Sequence, residues 1–303
     1  MITPPPLQKD DIIALAAPAR SISMMSAASV SELFEQHGWQ LRLDPEAFNV
    51  HHQFGGNDQQ RTDHLNTLIA DPNIKAILCG RGGYGSLRIV DGLDLNPLAR
   101  YPKWLVGFSD ITVLHASFQK HGQLESIHAT MPFNMHENSR ESLESLFSVL
   151  QGNAPFYTFE WDENNRAGNC EGKLTGGNLS ILYSLQASAS MPDPEGCILL
   201  IEDVDEYLYH IDRMMLSLRR SGFLSRLAGV VAGNFTQIHD NNMPFGCSVQ
   251  DIIREHTDNY RYPVAFGLPA GHLADNRALI LGRQTSLHVN NRQSSSLIQH
   301  TNQ

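Results

Sequence analysis

Apolar residues along the chain fall into short unbroken runs, separated by stretches whose apolar positions recur at helical spacing. Residues 11–18 read Asp-Ile-Ile-Ala-Leu-Ala-Ala-Pro, and residues 74–79 read Ile-Lys-Ala-Ile-Leu-Cys. Runs that are apolar at nearly every position are what strands covered on both faces of a parallel sheet look like. Gln40-Leu41-Arg42-Leu43 is a second short strand and Trp104-Leu105-Val106 a fourth. A helix is predicted over about residues 24–37, ended by Gly38. Another runs from Asp58 to about Ala70 with Leu65, Leu68 and Ile69 on one face, stopped by Asp71-Pro72-Asn73. Strands alternating with helices imply right-handed crossovers and a parallel α/β sheet.

The pattern changes near Asn134. Residues 137–150 read as a helix, Gln151-Gly152-Asn153-Ala154-Pro155 starts an irregular stretch, and Asp162-Glu163-Asn164-Asn165-Arg166 is a polar loop. This places an α/β domain at 1–150, a linker at 151–168 and a second domain at 169–303. In the second half, Gly176-Gly177-Asn178 opens a helix to about Ala187. Buried strands are predicted at 196–201 and 228–233, with a helix over 207–220 between them. Residues 278–281 and 285–289 read as a hairpin, and Asn290 onward as a frayed polar tail. No internal repeat is visible.

Composition narrows the partners. The 303 residues are 41 % hydrophobic and 18 % charged, enough apolar matter for a real core. A net charge of −10 argues against nucleic acid or an anionic membrane, which need a basic face. No signal peptide is expected from Met1-Ile2-Thr3-Pro4-Pro5-Pro6, and no apolar run is long enough to span a bilayer. Cys79, Cys170, Cys197 and Cys247 are widely spaced, which fits reduced thiols in a cytoplasmic protein better than a disulfide frame or a zinc site.

Candidate chemistry begins at Gly107-Phe108-Ser109-Asp110-Ile111. Strand, break and helix succeed one another so closely that Ser109 must sit exposed at the carboxyl end of a strand, where open α/β sheets place their ligand sites. The arrangement is like a hydrolase nucleophile elbow, except that Ile111 stands where G-x-S-x-G has its second glycine. Ser109 or Asp110 could also simply cap the helix.

Gly80-Arg81-Gly82-Gly83-Tyr84-Gly85 satisfies G-x-G-x-x-G and is predicted to open a helix. It comes after the third strand rather than the first, and the acid expected about twenty residues on is replaced by Arg100-Tyr101-Pro102-Lys103, so NAD binding is disfavoured. Its glycines could instead supply oxyanion-binding N–H groups, or form a turn with no ligand. Glu202-Asp203-Val204-Asp205-Glu206 ends an apolar strand, which puts Glu202 at the sheet rim where a carboxylate can orient an imidazole. Gly267-Leu268-Pro269-Ala270-Gly271-His272 delivers one histidine on a glycine-bounded loop. No H-E-x-x-H or closed zinc cage occurs, so no metal is expected. A hydroxyl, a base and a carboxylate to fix its tautomer are the parts of a nucleophilic triad.

Five stretches in order, Arg81-Gly82-Gly83-Tyr84-Gly85, Gly107-Phe108-Ser109-Asp110, Gly176-Gly177-Asn178-Leu179, Glu202-Asp203 and Gly267-Leu268-Pro269-Ala270-Gly271-His272, resemble those of the LD-carboxypeptidases. The resemblance spans about residues 11–285. It implies a Rossmann-like parallel-sheet N-terminal domain and a smaller β-rich α+β C-terminal domain. It implies a serine peptidase with Ser109 as nucleophile, His272 as general base, Glu202 as its orienter, and the N–H groups of Gly83 and Asp110 as the oxyanion hole. The family substrate is a cytoplasmic murein tetrapeptide, cut before its terminal D-alanine during cell-wall recycling by enzymes that usually pair as dimers. No cofactor is implied. Arg81 is a candidate for the substrate's terminal carboxylate or a solvated surface residue. A related branch hydrolyses peptide-nucleotide antibiotics for self-immunity, and the quoted motifs do not separate the two. An NAD-dependent oxidoreductase and a non-catalytic peptide-binding protein are the readings from other classes.

Overall fold

The computed structural model describes residues 1–301. They form two compact units, Met1–Asn153 with Ala274–Gly282, and Ala154–Leu273 with Arg283–Thr301.

The first unit is built on the apolar runs. In chain order it holds β1 (Ile12–Ala16), α1 (Met24–Ala28), α2 (Ser31–Glu35), β2 (Gln40–Arg42), α3 (Asp58–Ala70), β3 (Ile74–Cys79), β4 (Trp104–Gly107), α4 (Thr112–Lys120), β5 (Ser126–His128) and α5 (Arg140–Leu150). β2, β1, β3, β4 and β5 lie side by side and all parallel. The helix expected over 24–37 is two short ones. Ser29 ends the first and Val30 turns the chain, burying Val30 and Phe34 in the core. α3 starts with a reciprocal cap between Asn57 and Gln60, which satisfies two N–H groups that no helix turn can reach. Phe34, Trp39, Trp104, Ile127 and Phe147 meet in one cluster, with Phe34 edge-on to Phe147 at 5.6 Å. α4 is buried continuously from Thr112 to Phe118, so the helix behind Ser109 is fixed inside the core.

The second unit contains β6 (Phe156–Phe159), β7 (Gly168–Asn178), α6 (Leu179–Ser184), β8 (Ile198–Val204), α7 (Leu208–Arg220), β9 (Gly229–Thr236), α8 (Val249–Thr257) and β10 (Val264–Ala265). β7 to β10 are parallel neighbours in order, and their helices pack Leu182, Ile211, Met215, Leu218 and Ile252 over Leu199, Ile201 and Val230.

The structure corrects three further expectations of the fold. Residues 278–281 and 285–289 are not a hairpin. β11 (Leu279–Leu281) pairs antiparallel with β5 in the first sheet, whereas β12 (Gln284–Val289) pairs with β7 in the second. The domain division at 169 is corrected with it, because Ala274–Gly282 belongs to the first unit and Phe156–Phe159, inside the expected linker, is a strand of the second. The described part of the polar tail is not frayed: β13 (Ser295–Gln299) lies between β12 and β6 with Ser295, Leu297 and Gln299 facing inward, and Asn302 and Gln303 of the expected tail lie outside the described residues. The α/β class and the parallel run of β2, β1, β3, β4 and β5 in the first sheet are as the sequence predicts.

Candidate active site

β4 ends at Gly107, Phe108 is extended, and Ser109 takes a left-handed backbone with φ +62° before the chain turns into α4. A non-glycine residue there is strained and persists only where its surroundings dictate it. Here they do. A Cβ on Gly107 would lie 3.0 and 3.1 Å from the two γ carbons of Ile111. The bulk that the elbow pattern excludes at position 111 is therefore accommodated by the glycine at 107. His115, fully buried, donates from Nε2 to the Gly107 carbonyl (2.9 Å) and accepts at Nδ1 from Ser126 Oγ (2.8 Å). Burial pushes its pKa down to about 3, so it is a neutral strut for the strand end.

The glycine run lies against this turn. A Cβ on Gly82 would sit 3.1 Å from Ser109 Cβ and 3.3 Å from its Oγ, so any side chain there would press on the serine. Asp110 accepts the Ser86 N–H at 2.8 Å, which ties the run to the serine turn. Burial raises the Asp110 pKa, opposed by the Ser86 and Gly85 N–H groups. From the other side the buried Arg61 guanidinium donates to the carbonyls of Gly85 (2.9 Å) and Pro18, and pairs with Asp58 at 2.5 Å. The helix expected after the run is absent; two single-turn 3₁₀ segments, Ser86–Arg88 and Val90–Gly92, take its place. A dinucleotide site needs a helix N-terminus under its pyrophosphate, and the run does not provide one. The Arg81 guanidinium is stacked 3.9 Å over the Phe133 ring.

In the second unit Glu202 and His272 are brought together. The β8–β9 ladder shifts register between Ile201 and Asp203, and Glu202 sits in that irregularity. Such breaks commonly re-aim a side chain beside a site. The Glu202 side chain is wholly buried and its Oε2 accepts from His272 Nδ1 at 2.7 Å. Burial lowers the His272 pKa, but the Glu202 charge and hydrogen bond, with Asp203, outweigh it and leave it raised. The rival acids are engaged elsewhere. Asp203 accepts from Asn178 Nδ2 (2.9 Å), Ser180 N–H (2.8 Å) and Val204 N–H (2.9 Å), and Glu206 pairs with His210 at 2.7 Å. Burial and the Glu202 charge push Asp203 up to about 7.

Gly271 delivers the histidine. Its φ is +112°, and a Cβ there would lie 2.8 Å from Glu202 Oε2. Gly271→Ala is therefore expected to cost about 1–3 kcal/mol of stability from backbone strain alone. It should also lower turnover at least tenfold, because the new methyl displaces the carboxylate that holds His272. Thermal melting and steady-state rates check this; unchanged values for both would mean that the Gly271–Glu202 approach is not needed.

Sequence reasoning singles out Ser109, Asp110, Gly83, Glu202, His272 and Arg81; all but Glu202 lie in the turn or loop after a strand, and Glu202 lies inside β8, two residues before its end. It misses Arg61 and Asn178 as side chains that hold these turns. Arg61 carries no signal that could reveal it, since its place on a helix says nothing of a buried guanidinium. Among the described residues no group of histidine, cysteine and carboxylate side chains could hold a metal, and no helix is long and apolar enough to cross a membrane.

Comparison with known proteins points to one family. The family models described as LD-carboxypeptidase N-terminal domain and LD-carboxypeptidase C-terminal domain match residues 12–129 and 171–287. The murein tetrapeptide carboxypeptidase of Pseudomonas aeruginosa is 32 % identical, with 93 % of this chain and 94 % of that protein covered. The crystal structure of muramoyltetrapeptide carboxypeptidase from Oxalobacter formigenes superposes with a TM-score of 0.87 at 27 % identity, covering 96 % of this chain and all of that one. The microcin C7 self immunity protein MccF, 20 % identical with a TM-score of 0.85 over 98 % of both chains, shares the fold. With both family domains matched in order over most of its length, the chain belongs to the LD-carboxypeptidase family.

Proposed function

We propose that this protein is a serine carboxypeptidase that releases the terminal D-alanine of murein tetrapeptides. The observation that carries the reading is the Glu202–His272 pair: a buried carboxylate on Nδ1 leaves Nε2 as the basic nitrogen, in the tautomer a serine nucleophile requires. In this reading Ser109 Oγ attacks the carbonyl carbon at the L-centre of the diamino acid while His272 Nε2 takes its proton. The oxyanion is held by the Gly83 and Asp110 N–H groups. The imidazolium then protonates the departing amine of D-alanine. Water, deprotonated by His272, attacks the acyl-enzyme and restores Ser109. Arg81 takes the substrate's terminal carboxylate. We place the reaction in cell-wall recycling in the cytoplasm, carried out by a homodimer. The self-immunity reading is supported by a likeness of fold alone, so the carboxypeptidase reading is preferred.

Mass spectrometry of a murein tetrapeptide after incubation is expected to show loss of one alanine and no shorter product. An intact tetrapeptide, or equal cleavage when the last residue is L-alanine, would sink the reading. The pH profile is set by His272. Its neutral form is the base, and its pKa is raised, so kcat/KM should fall on acidification with a midpoint above the ordinary imidazole value of about 6.5. A midpoint below that value would mean that another group limits the acid side.

A further inference from the structure

β2 and β3 lie on opposite sides of β1, so the strand order reverses direction at β1, and an open sheet has its ligand crevice at the carboxyl ends of strands at such a point. β1 and β3 are each succeeded by one arginine. Arg20 comes after β1 and its N–H meets the Gly82 carbonyl at 3.4 Å. Its aliphatic stem lies on the next glycine: a Cβ on Gly83 would be 2.6 Å from Arg20 Cδ and 2.9 Å from Nε. Arg81 comes after β3 and is stacked on Phe133. Gly82 packs on Ser109 in the same turn. Among the described residues neither guanidinium has a carboxylate within ion-pair distance, although Arg61 and Arg88 nearby share Asp58. In a chain of net charge −10, two adjacent guanidinium groups without an acid make a local positive field beside the serine turn. Burial, and after it the Arg20 charge, hold the Arg81 guanidinium below its ordinary pKa.

We propose that Arg20 joins Arg81 in a two-guanidinium clamp for the substrate's terminal carboxylate, and that the Arg20 stem, by packing on Gly83, holds the peptide whose N–H faces the oxyanion. The inference rests on the proposed carboxypeptidase reading and adds a residue to it. A carboxylate seated between two guanidinium forks gains charge-assisted hydrogen bonds and removes the repulsion between the two cations. The chain end is thereby read by the same turn that positions the reacting carbonyl.

The two parts of Arg20 can be separated. Arg20→Met keeps the stem and removes the charge; Arg20→Ala removes both. For the acid tetrapeptide, Arg20→Met should raise KM on the order of 10- to 100-fold, the range of a hydrogen bond to a charged group, with kcat held within about twofold. Arg20→Ala should raise KM as much and also lower kcat roughly tenfold, because Gly83 loses its support. For the C-terminal amide, Arg20→Met should change KM little, since the carboxylate it would contact is gone. An unchanged KM for Arg20→Met on the acid, or an equal penalty on acid and amide, would overturn the clamp. Calorimetry on the Ser109→Ala protein, with and without Arg20→Met, reads binding without turnover. Acid binding at least tenfold tighter than amide, and lost with Arg20→Met, supports the clamp even if the wild type proves unable to cut the peptide. In that case only the hydrolase reading fails. No measurable binding of the acid peptide overturns the clamp.

Discussion

Ser109→Ala is expected to abolish turnover while leaving the fold intact. Removal of the nucleophile from a triad that acts as a unit lowers kcat by on the order of 10⁵ to 10⁶, with a residual rate left from the oxyanion hole and binding. The fold should not notice. Alanine at φ +62° is as strained as serine, and the contact from Gly82 to the β carbon of residue 109 is retained. Melting should therefore stay within about 0.5 kcal/mol of wild type. A companion variant makes the strain itself visible. Ser109→Gly relieves a left-handed non-glycine backbone, about 1–3 kcal/mol, against an entropy cost of about 0.5–1 kcal/mol for glycine. It should be inactive and more stable than wild type. That combination marks a position held in strain for function rather than for folding. Near-normal rates for Ser109→Ala at unchanged melting would remove Ser109 from the reaction, and the elbow geometry would then be a helix entry and nothing more.

Parts of this site are legible in the chain itself, for a physical reason. Buried parallel strands are apolar at nearly every position, so β1, β3, β4, β8 and β9 stand out as runs, and the residues just after each run lie at a sheet rim. Ser109, Glu202 and the glycine run are located by that rule. The information carried by strand pairing is not legible in the same way. Leu279 to Leu281 is apolar, Thr285 to Val289 carries apolar Leu287 and Val289 at strand spacing, and the two are separated by three residues, the spacing of a tight hairpin. Nothing in either run says that one pairs with Ser126–His128 and the other with Gly168–Lys173 in a different sheet. β13 escapes notice for another reason: its inward residues include Ser295 and Gln299, so the alternation of polarity that marks a half-buried strand is missing. The glycine run meets a dinucleotide pattern because both uses need backbone with no side chain. The difference lies in what touches the glycines, and contact with Ser109, Arg20 and Arg61 is not written in spacing. The shifted register beside which Glu202 meets His272 is likewise a property of the β8–β9 pair, not of either strand.

Glu202→Gln should separate the triad from the acidic cluster around it. The carboxylate accepts from His272 Nδ1–H at 2.7 Å, which leaves Nε2 to take a proton. Glutamine keeps the size but can turn its N–H toward Nδ1, which puts the ring proton on Nε2 and removes the acceptor. It also removes the charge that stabilises the imidazolium. Turnover should fall by on the order of 10³ to 10⁴, as for carboxylate-to-amide changes in other triads. The acid limb of whatever activity remains should move to lower pH, because burial still depresses the His272 pKa while the Glu202 charge no longer raises it. Stability should hold or rise. Glu202 is wholly buried and among the described residues its Oε1 has no hydrogen-bond partner, so a neutral side chain of equal size costs less to bury. The rivals behave differently. Glu206→Gln breaks a partly exposed pair with His210 and should leave activity near wild type. Asp203→Asn disturbs the bonds to Asn178, Ser180 and Val204, so its loss should show in melting rather than in a 10³-fold drop in rate. If Asp203→Asn or Glu206→Gln loses as much turnover as Glu202→Gln at equal stability, or if Glu202→Gln loses none, then a different acid holds the base, and the hydrogen bond between Glu202 and His272 is structural.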